Sequence, residues 1–80
     1  MIEDVDPGVP VTEYVERIIG RLHEGSEVTL TGRGKNAPRA IVILERCKRE
    51  VPRLASALQI LKEGTESVLQ VNCRLEPQPN

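Results

Sequence analysis

The chain has 80 residues, a formal net charge of −1 and 39% hydrophobic residues, and Tyr14 is its one aromatic side chain. A chain of this length forms a single thin core and has no room for separate cofactor and substrate domains. A core of Val, Ile, Leu and Ala in so small a domain is often completed by self-association. We therefore expect one domain over residues 1–76 and an unstructured tail over residues 77–80.

The first predicted elements are a short strand over residues 2–5 and a helix over residues 12–24, separated by the turn residues of PGVP. Thr12 is a candidate N-cap for this helix and Gly25 its end. Its apolar positions recur at helical spacing. They are Val11, Val15, Ile18, Ile19 and Leu22. Beside them, Tyr14 is expected at the edge of the core, whereas His23, among charges, is expected at the surface.

Residues 27–31 alternate between apolar and polar, which predicts a strand with one buried face. A second helix is predicted from Asn36 or Ala37 to about Val51, because Pro38 suits a first turn and Pro52 restricts the residue before it. The apolar side of this helix is wide and favours burial on two sides. It comprises Ala40, Ile41, Val42, Ile43, Leu44, Cys47 and Val51.

Residues 54–62 and 67–75 flank the turn EGTE, and the second of these segments alternates cleanly, which predicts a β-hairpin. The predicted order is strand, helix, strand, helix, strand, strand. This order corresponds to an α/β two-layer sandwich with two helices on one face of a four-stranded mixed sheet.

Cys47 and Cys73 lack the spacing of a metal knuckle and lie on the apolar sides of their elements, so we expect reduced core thiols rather than a disulfide or redox pair. The N-terminus MIEDVDPGVP is acidic, and no apolar run approaches the length of a membrane span. We therefore expect a cytoplasmic protein without a membrane partner.

The charges are unevenly distributed along the chain. Residues 33–53 carry a net charge of +5, while the remaining residues carry −6. One segment is therefore a candidate surface for a polyanion, although a solvated helix face would give the same composition.

The motif GRGKNA at residues 32–37 matches the dinucleotide-binding pattern G-x-G-x-x-A between a strand and a helix. That fold needs a longer parallel sheet and an acidic residue about twenty positions later, where this chain is apolar. The motif also lacks the Ser or Thr of a P-loop and the G-x-x-G of a KH clamp. No pattern of catalytic residues accompanies it, so we expect neither an enzyme nor a cofactor nor a small-molecule substrate.

The same turn suits a polymer of phosphates. Two glycines allow a tight turn, the next helix points its positive end at it, and Arg33, Lys35 and Arg39 surround it. Such contacts hold a nucleic-acid backbone without reading its sequence. Few aromatic residues are available for stacking on bases, which favours duplex DNA or structured RNA. The candidate contacts are Arg33, Gly34, Lys35 and Arg39, with Arg46, Arg49 and Arg53 as outer positions.

The run EVTLTGRGKNAPRAIVILERCKRE, preceded by VPVTEYVERIIGRLHEG, resembles the Alba family of archaeal chromatin and RNA-binding proteins. The matching basic positions are Arg33, Gly34 and Lys35, with Arg39 on the helix. The resemblance implies the same element order, a homodimer packed partly through the second helix, and sequence-nonspecific binding of DNA or RNA. It also implies a protruding basic hairpin that reaches into the minor groove, and no enzyme activity, metal or cofactor.

Two departures from the family pattern are visible. The turn before the first helix has Gly8 and Val9 where a basic pair is usual, and the final hairpin is reduced to KEGTE with Lys62 alone. These departures leave open an alternative function, a dimerisation or assembly module that acts with a basic paralogue. Either function predicts a chromosome-associated or RNA-associated protein.

Overall fold

The computed structural model describes residues 1–77, so the predicted tail lies, apart from Pro77, outside the described residues. The predicted element order is confirmed. The elements are β1 (Ile2–Asp4), α1 (Val11–His23), β2 (Val28–Arg33), α2 (Ala37–Glu50), β3 (Leu54–Glu63) and β4 (Glu66–Leu75), with a 3-10 turn (Gly34–Asn36) between β2 and α2.

The strands form one sheet in the order β1-β2-β4-β3. β1 pairs parallel to β2, whereas β4 pairs antiparallel to both β2 and β3. The sheet is therefore mixed, as predicted. β2 continues two residues beyond the predicted end at Thr31, because Gly32 and Arg33 pair with Leu69 and Val68 of β4. Arg33 is consequently the last residue of a strand and not part of a turn.

Helix α1 begins two residues earlier than the N-cap prediction requires. Pro10 occupies the N-cap position in an extended conformation and Thr12 lies inside the first turn, so the prediction of Thr12 as N-cap is wrong. The C-terminal prediction is confirmed. Gly25 adopts φ +87°, and the N–H groups of Gly25 and Ser26 donate to the carbonyls of Leu22 and Arg21, the hydrogen-bond pattern of a Schellman motif.

Both helices pack on one face of the sheet and form the core with it. Along β2, Val28 and Leu30 are buried in this core while Thr29 and Thr31 are only partly covered. Because side chains alternate along a strand, Thr29, Thr31 and Arg33 share the opposite face. This opposite face is called the open face below. Gln70 and Asn72 of β4 lie on it too, since they pair with Thr31 and Thr29.

Tyr14 is buried more deeply than the expected position at the core edge, with 2% of its surface exposed. Its hydroxyl accepts a hydrogen bond from the N–H of Asp6 at 2.6 Å and donates one to the carbonyl of Asp4 at 2.9 Å. A buried phenol needs such partners. They tie the end of β1 to α1. His23 is exposed at the end of α1, as predicted.

Cys47 and Cys73 are both buried free thiols, which confirms the sequence prediction. Burial raises the pKa of Cys47 from 9.0 to about 12, with smaller contributions from Cys73 and Glu50. Burial likewise raises the pKa of Cys73, against a small opposing effect of Lys48. Neither thiol therefore forms a thiolate readily near neutral pH.

The wide apolar side of α2 is only partly covered within one chain. Ala40, Ile43, Leu44 and Cys47 face the core, whereas Ile41 and Val42 are 36% and 48% exposed. The second side of α2, which the sequence predicts to be buried, is therefore exposed to solvent in the single chain.

The predicted final hairpin is confirmed, and each of its strands extends one residue further towards the turn than predicted, so the hairpin is not reduced to the segment KEGTE. β3 and β4 have ten residues each and pair from Leu54–Leu75 to Glu63–Glu66. Two residues, Gly64 and Thr65, join them, with φ +63° at Gly64. The hairpin helps to give the molecule its elongated dimensions of 46 × 23 × 19 Å. It differs from the basic hairpin implied by the resemblance in charge, because its turn has a glutamate on each side.

Candidate nucleic-acid interface

The basic motif lies at the junction of β2 and α2. Arg33 ends β2, and Gly34 and Lys35 begin the 3-10 turn that leads into α2. All three residues are exposed. Gly34 adopts φ +51°, a conformation that other residues rarely adopt and that turns the chain sharply here. The junction therefore presents two cationic side chains, Arg33 at the end of the strand and Lys35 on the tight turn after it.

Gly32 fixes the position of this junction against α2. A Cβ atom built on Gly32 would lie 2.8 Å from the carbonyl oxygen of Asn36 and 2.9 Å from Cα of Ala37 and Cβ of Ala40. The backbone of β2 can approach the start of α2 this closely only without a side chain. Gly32 therefore serves packing, while Gly34 provides the turn.

The Arg33 side chain is paired with the hairpin. Its Nη1 donates to Oε2 of Glu63 at 2.5 Å, and both side chains are exposed, by 43% and 57%. Glu66 lies on the other side of the hairpin turn, and its Oε1 would be 3.1 Å from a Cβ atom on Gly34. The cationic junction is therefore bordered by two carboxylates.

The pKa of the Arg33 guanidinium is raised above its ordinary value by the hydrogen bond and the charge of Glu63, with smaller effects of Asp4 and Glu66. Arg33 thus stays fully charged, and three carboxylates contribute to the negative field around it. The junction thus has two cations, Arg33 and Lys35, and three carboxylates that act on Arg33. This surface is therefore not the isolated basic segment that the sequence suggests.

Arg39 joins two elements instead of standing free. It lies in the first turns of α2, half-buried, and its Nη2 donates to the carbonyl oxygen of Val9 at 2.8 Å. Its Nε is buried and has no hydrogen-bond partner within the described residues. One end of this guanidinium therefore holds the loop before α1, the same loop in which the family pattern has a basic pair.

Arg46 and Arg49 lie further along α2 and border a groove of about 250 Å³ between the two helices. Glu16 of α1 and Glu50 of α2 border the same groove, so its charge is mixed. Ten residues separate Arg39 from Arg49, which is about 15 Å along a helix. These two arginines are therefore a second group, distinct from the β2–α2 junction.

Arg53 lies at the opposite end of the sheet from Arg33. It precedes Leu54, whose partner on β4 is Leu75, whereas the partner of Arg33 is Val68. Seven residues of strand separate those partners, about 23 Å at the rise of a β-strand. The Arg53 side chain donates to the carbonyl of Glu76 at 3.3 Å. The structure therefore does not unite all the predicted basic residues in one patch.

The acidic neighbours of Arg33 are the part of the site that sequence reasoning missed. Glu63 is thirty residues from Arg33 in sequence and reaches it only because β4 pairs with both β2 and β3. A signal existed, since the EGTE turn places its two glutamates at the tip of a hairpin. Whether this hairpin tip lies near the basic junction depends on the strand order, which the local sequence pattern does not encode.

The described residues meet neither the requirements of a metal site nor those of a membrane-spanning helix. Within residues 1–77 no group of three or more acidic, His or Cys side chains is arranged to hold a metal ion. Neither α1 nor α2 has the length and apolar character that crossing a membrane requires.

Two helices on one face of a β1-β2-β4-β3 sheet, with a basic junction after β2, define a small α/β protein of the Alba type. The family model named Alba matches residues 5–67, and the chain belongs to the Alba family. Its fold is similar to that of Alba from Thermoplasma volcanium, with a TM-score of 0.70 and 15% identity over 92% of this chain and 99% of the other. No curated protein matches the sequence.

Proposed function

We propose that this protein binds the sugar-phosphate backbone of double-stranded DNA or structured RNA, as a dimer and without sequence specificity. The observation that carries the proposal is the exposed pair Arg33, at the end of β2, and Lys35, on the tight turn that follows, in a chain of the Alba family. The family suggests nucleic-acid binding. Arginine and lysine at a turn hold phosphates by charge and hydrogen bonds, which position a duplex without reading it.

The open face of the sheet favours backbone contacts over stacking on bases. Tyr14 is the sole aromatic residue of the chain, and its side chain is buried in the core on the inner side of α1. Single-strand binders use exposed aromatic side chains as platforms for bases. Without such a platform, affinity comes from the cations, and Arg33 and Lys35 are the central contacts, with Gly34 between them. Arg39, Arg46, Arg49 and Arg53 are outer contacts on a ligand that extends beyond the junction.

Self-association completes the surface. Ile41 and Val42 on α2 and Leu58 and Ile60 on β3 are exposed apolar side chains, and β3 is an edge strand of the sheet. Leu58 and Ile60 pair with Val71 and Leu69, so they lie on the helix side of the sheet but outside the core. A second copy of the chain is the occupant of these positions that the family suggests. A dimer would present two copies of residues 33–35 to one ligand.

The test is a titration of fluorescently labelled ligands by anisotropy. Two duplexes of unrelated sequence, a structured RNA and a single strand are compared at about 50 mM and about 200 mM salt, where a backbone binder loses affinity steeply. We expect similar affinities for both duplexes and a linear fall of log K with log salt. Affinity that is absent, or present but independent of salt, would contradict the proposal.

A second candidate function is an assembly module that has kept the fold and acts with a basic paralogue. The observation in its favour is the Arg33–Glu63 pair, which neutralises a central cation within the chain itself. This function predicts no binding by the protein alone and binding by a mixture with a basic family member. Size-exclusion chromatography of the mixture separates a heterodimer from two independent proteins.

In either case the protein acts by binding and not by catalysis, as members of this family generally do. We propose that it requires no cofactor and works in the cytoplasm, associated with chromosomal DNA or with RNA. Crosslinking in intact cells followed by digestion with DNase or RNase would identify the polymer.

A further inference from the structure

The hairpin turn is built with two carboxylates opposite each other. Glu63 ends β3 and Glu66 begins β4, and the two form the last cross-strand pair before the turn. Like charges directly opposite each other on a sheet are unfavourable. The residues that close this hairpin therefore need a nearby cation, and the fold supplies one from β2.

That cation is Arg33, which lies on the same face of the sheet. Arg33 pairs with Val68, Glu66 is two residues from Val68, and Glu63 pairs with Glu66, so all three side chains project from the open face. The contact between Nη1 of Arg33 and Oε2 of Glu63 follows from this placement. It joins the tip of the hairpin to the end of β2.

We propose that Glu63 is an intramolecular competitor of the nucleic-acid backbone, occupying on Arg33 the position that a phosphate oxygen takes when the ligand binds, with Glu66 adding repulsion beside Gly34. This proposal rests on the proposed function. A carboxylate oxygen and a phosphate oxygen accept the same charge-assisted hydrogen bonds from a guanidinium. The two therefore compete for the N–H groups of the Arg33 guanidinium.

The pair is suited to displacement because both partners are exposed. An exposed ion pair is weak, whereas a duplex presents many phosphates at once. Binding then exchanges one partner of Arg33 for another, and the released carboxylate regains a cation from solution. The net release of cations is accordingly smaller than the number of phosphate contacts.

The decisive variant is Glu63→Gln, which keeps the size of the side chain and removes its charge. We expect it to bind a duplex about two- to five-fold more tightly per subunit at low salt, the range expected from an exposed ion pair. The slope of log K against log salt should also become steeper, by up to about 0.9 per subunit. The matched control is Glu24→Gln, which removes the same charge from another exposed ion pair, with Arg21.

The outcomes separate this proposal from the proposed function. Tighter and more salt-sensitive binding by Glu63→Gln than by Glu24→Gln supports both. If wild-type binds and both variants behave alike, or if Glu63→Gln binds more weakly, the competitor is refuted and the proposed function stands. If no variant binds at low salt while all remain folded by circular dichroism, the proposed function fails and the competitor with it.

Discussion

The guanidinium of Arg39 in α2 donates a hydrogen bond of 2.8 Å to the carbonyl oxygen of Val9, and thereby joins the start of α2 to the loop before α1. The half-buried Arg39 side chain therefore has a structural role at one side of the candidate interface. It also places the loop PGVP, where family members usually carry basic residues, beside the start of α2.

Replacing Arg39 by Ala should therefore destabilise the fold. The substitution removes a hydrogen bond from a charged donor, and because Nε already lacks a partner we expect a decrease of only about 1 kcal/mol in the free energy of unfolding. Urea unfolding followed by circular dichroism measures it. Arg46→Ala, on the exposed part of the same helix, is the control and should change stability by less than about 0.5 kcal/mol. Equal effects of the two substitutions would contradict the structural role of Arg39.

Two glycine substitutions should have opposite effects. Gly32→Ala would place Cβ within 3 Å of the backbone of α2, so we expect a loss of about 2 kcal/mol or more. Gly20→Ala, in an open position of α1, meets no atom within 4 Å and should raise stability by about 0.5–1 kcal/mol through helix propensity. Denaturant midpoints measured side by side check both. A neutral Gly32→Ala would mean that β2 and α2 do not approach each other so closely.

Burial of Cys47 predicts a specific dependence of stability on pH. Its pKa is raised from 9.0 to about 12, so above about pH 9 the unfolded chain loses the thiol proton while the native chain keeps it. The contribution of Cys47 to stability is complete below about pH 9 and should decline progressively as the pH rises towards 12. Urea unfolding at about pH 8 and about pH 10.5, on either side of the pKa of the thiol in the unfolded chain, measures this decline. The free energy of unfolding should fall less between these two pH values in Cys47→Ala than in wild-type. An equal fall in the two proteins would refute this role of Cys47.

The apolar side chains of β3 predict an oligomer that substitution disrupts. Leu58→Ser combined with Ile60→Ser should raise the dissociation constant of the dimer about ten-fold or more, because anchors at the centre of an interface carry most of its energy. Gln59→Ser, on the opposite face of the same strand, is the control. Sedimentation equilibrium gives the dissociation constants. A wild-type protein that stays monomeric at high concentration would contradict the dimer.

The sequence predicts the fold well because each element has a strong local pattern. The helical spacing in α1, the alternation in β4 and the turn residues at Gly25 each specify their element without help from distant residues. Thr12 misleads because Ser and Thr also occur within first turns, and Pro10 takes the cap position with its fixed backbone angle. The exposure of Ile41 follows from packing between elements, which local spacing does not specify.

The candidate site is predicted only in part. The motif predicts Arg33 and Lys35 as contacts. It shows which charges are close in sequence, but not which charges are close in the folded protein. The register of β4 with β2 and β3 brings Glu63 to Arg33 and carries Arg53 to the far end of the sheet. A net charge of +5 over residues 33–53 thus overstates the positive potential of the folded surface.

The central claim is that Arg33 and Lys35 hold phosphates of the backbone, and the double variant Arg33→Ala, Lys35→Ala tests it most directly. Its affinity for two unrelated duplexes should fall by the same factor. The salt slope should become shallower by about 0.9 for the phosphate that Lys35 neutralises, and by less for that of Arg33, where the freed Glu63 takes up a cation. Arg17→Ala combined with Arg21→Ala removes equal charge from exposed positions on α1, which packs on the opposite face of the sheet, and this variant should bind much as wild-type does. An affinity and a salt slope equal to those of wild-type in a folded Arg33→Ala, Lys35→Ala protein would contradict the account.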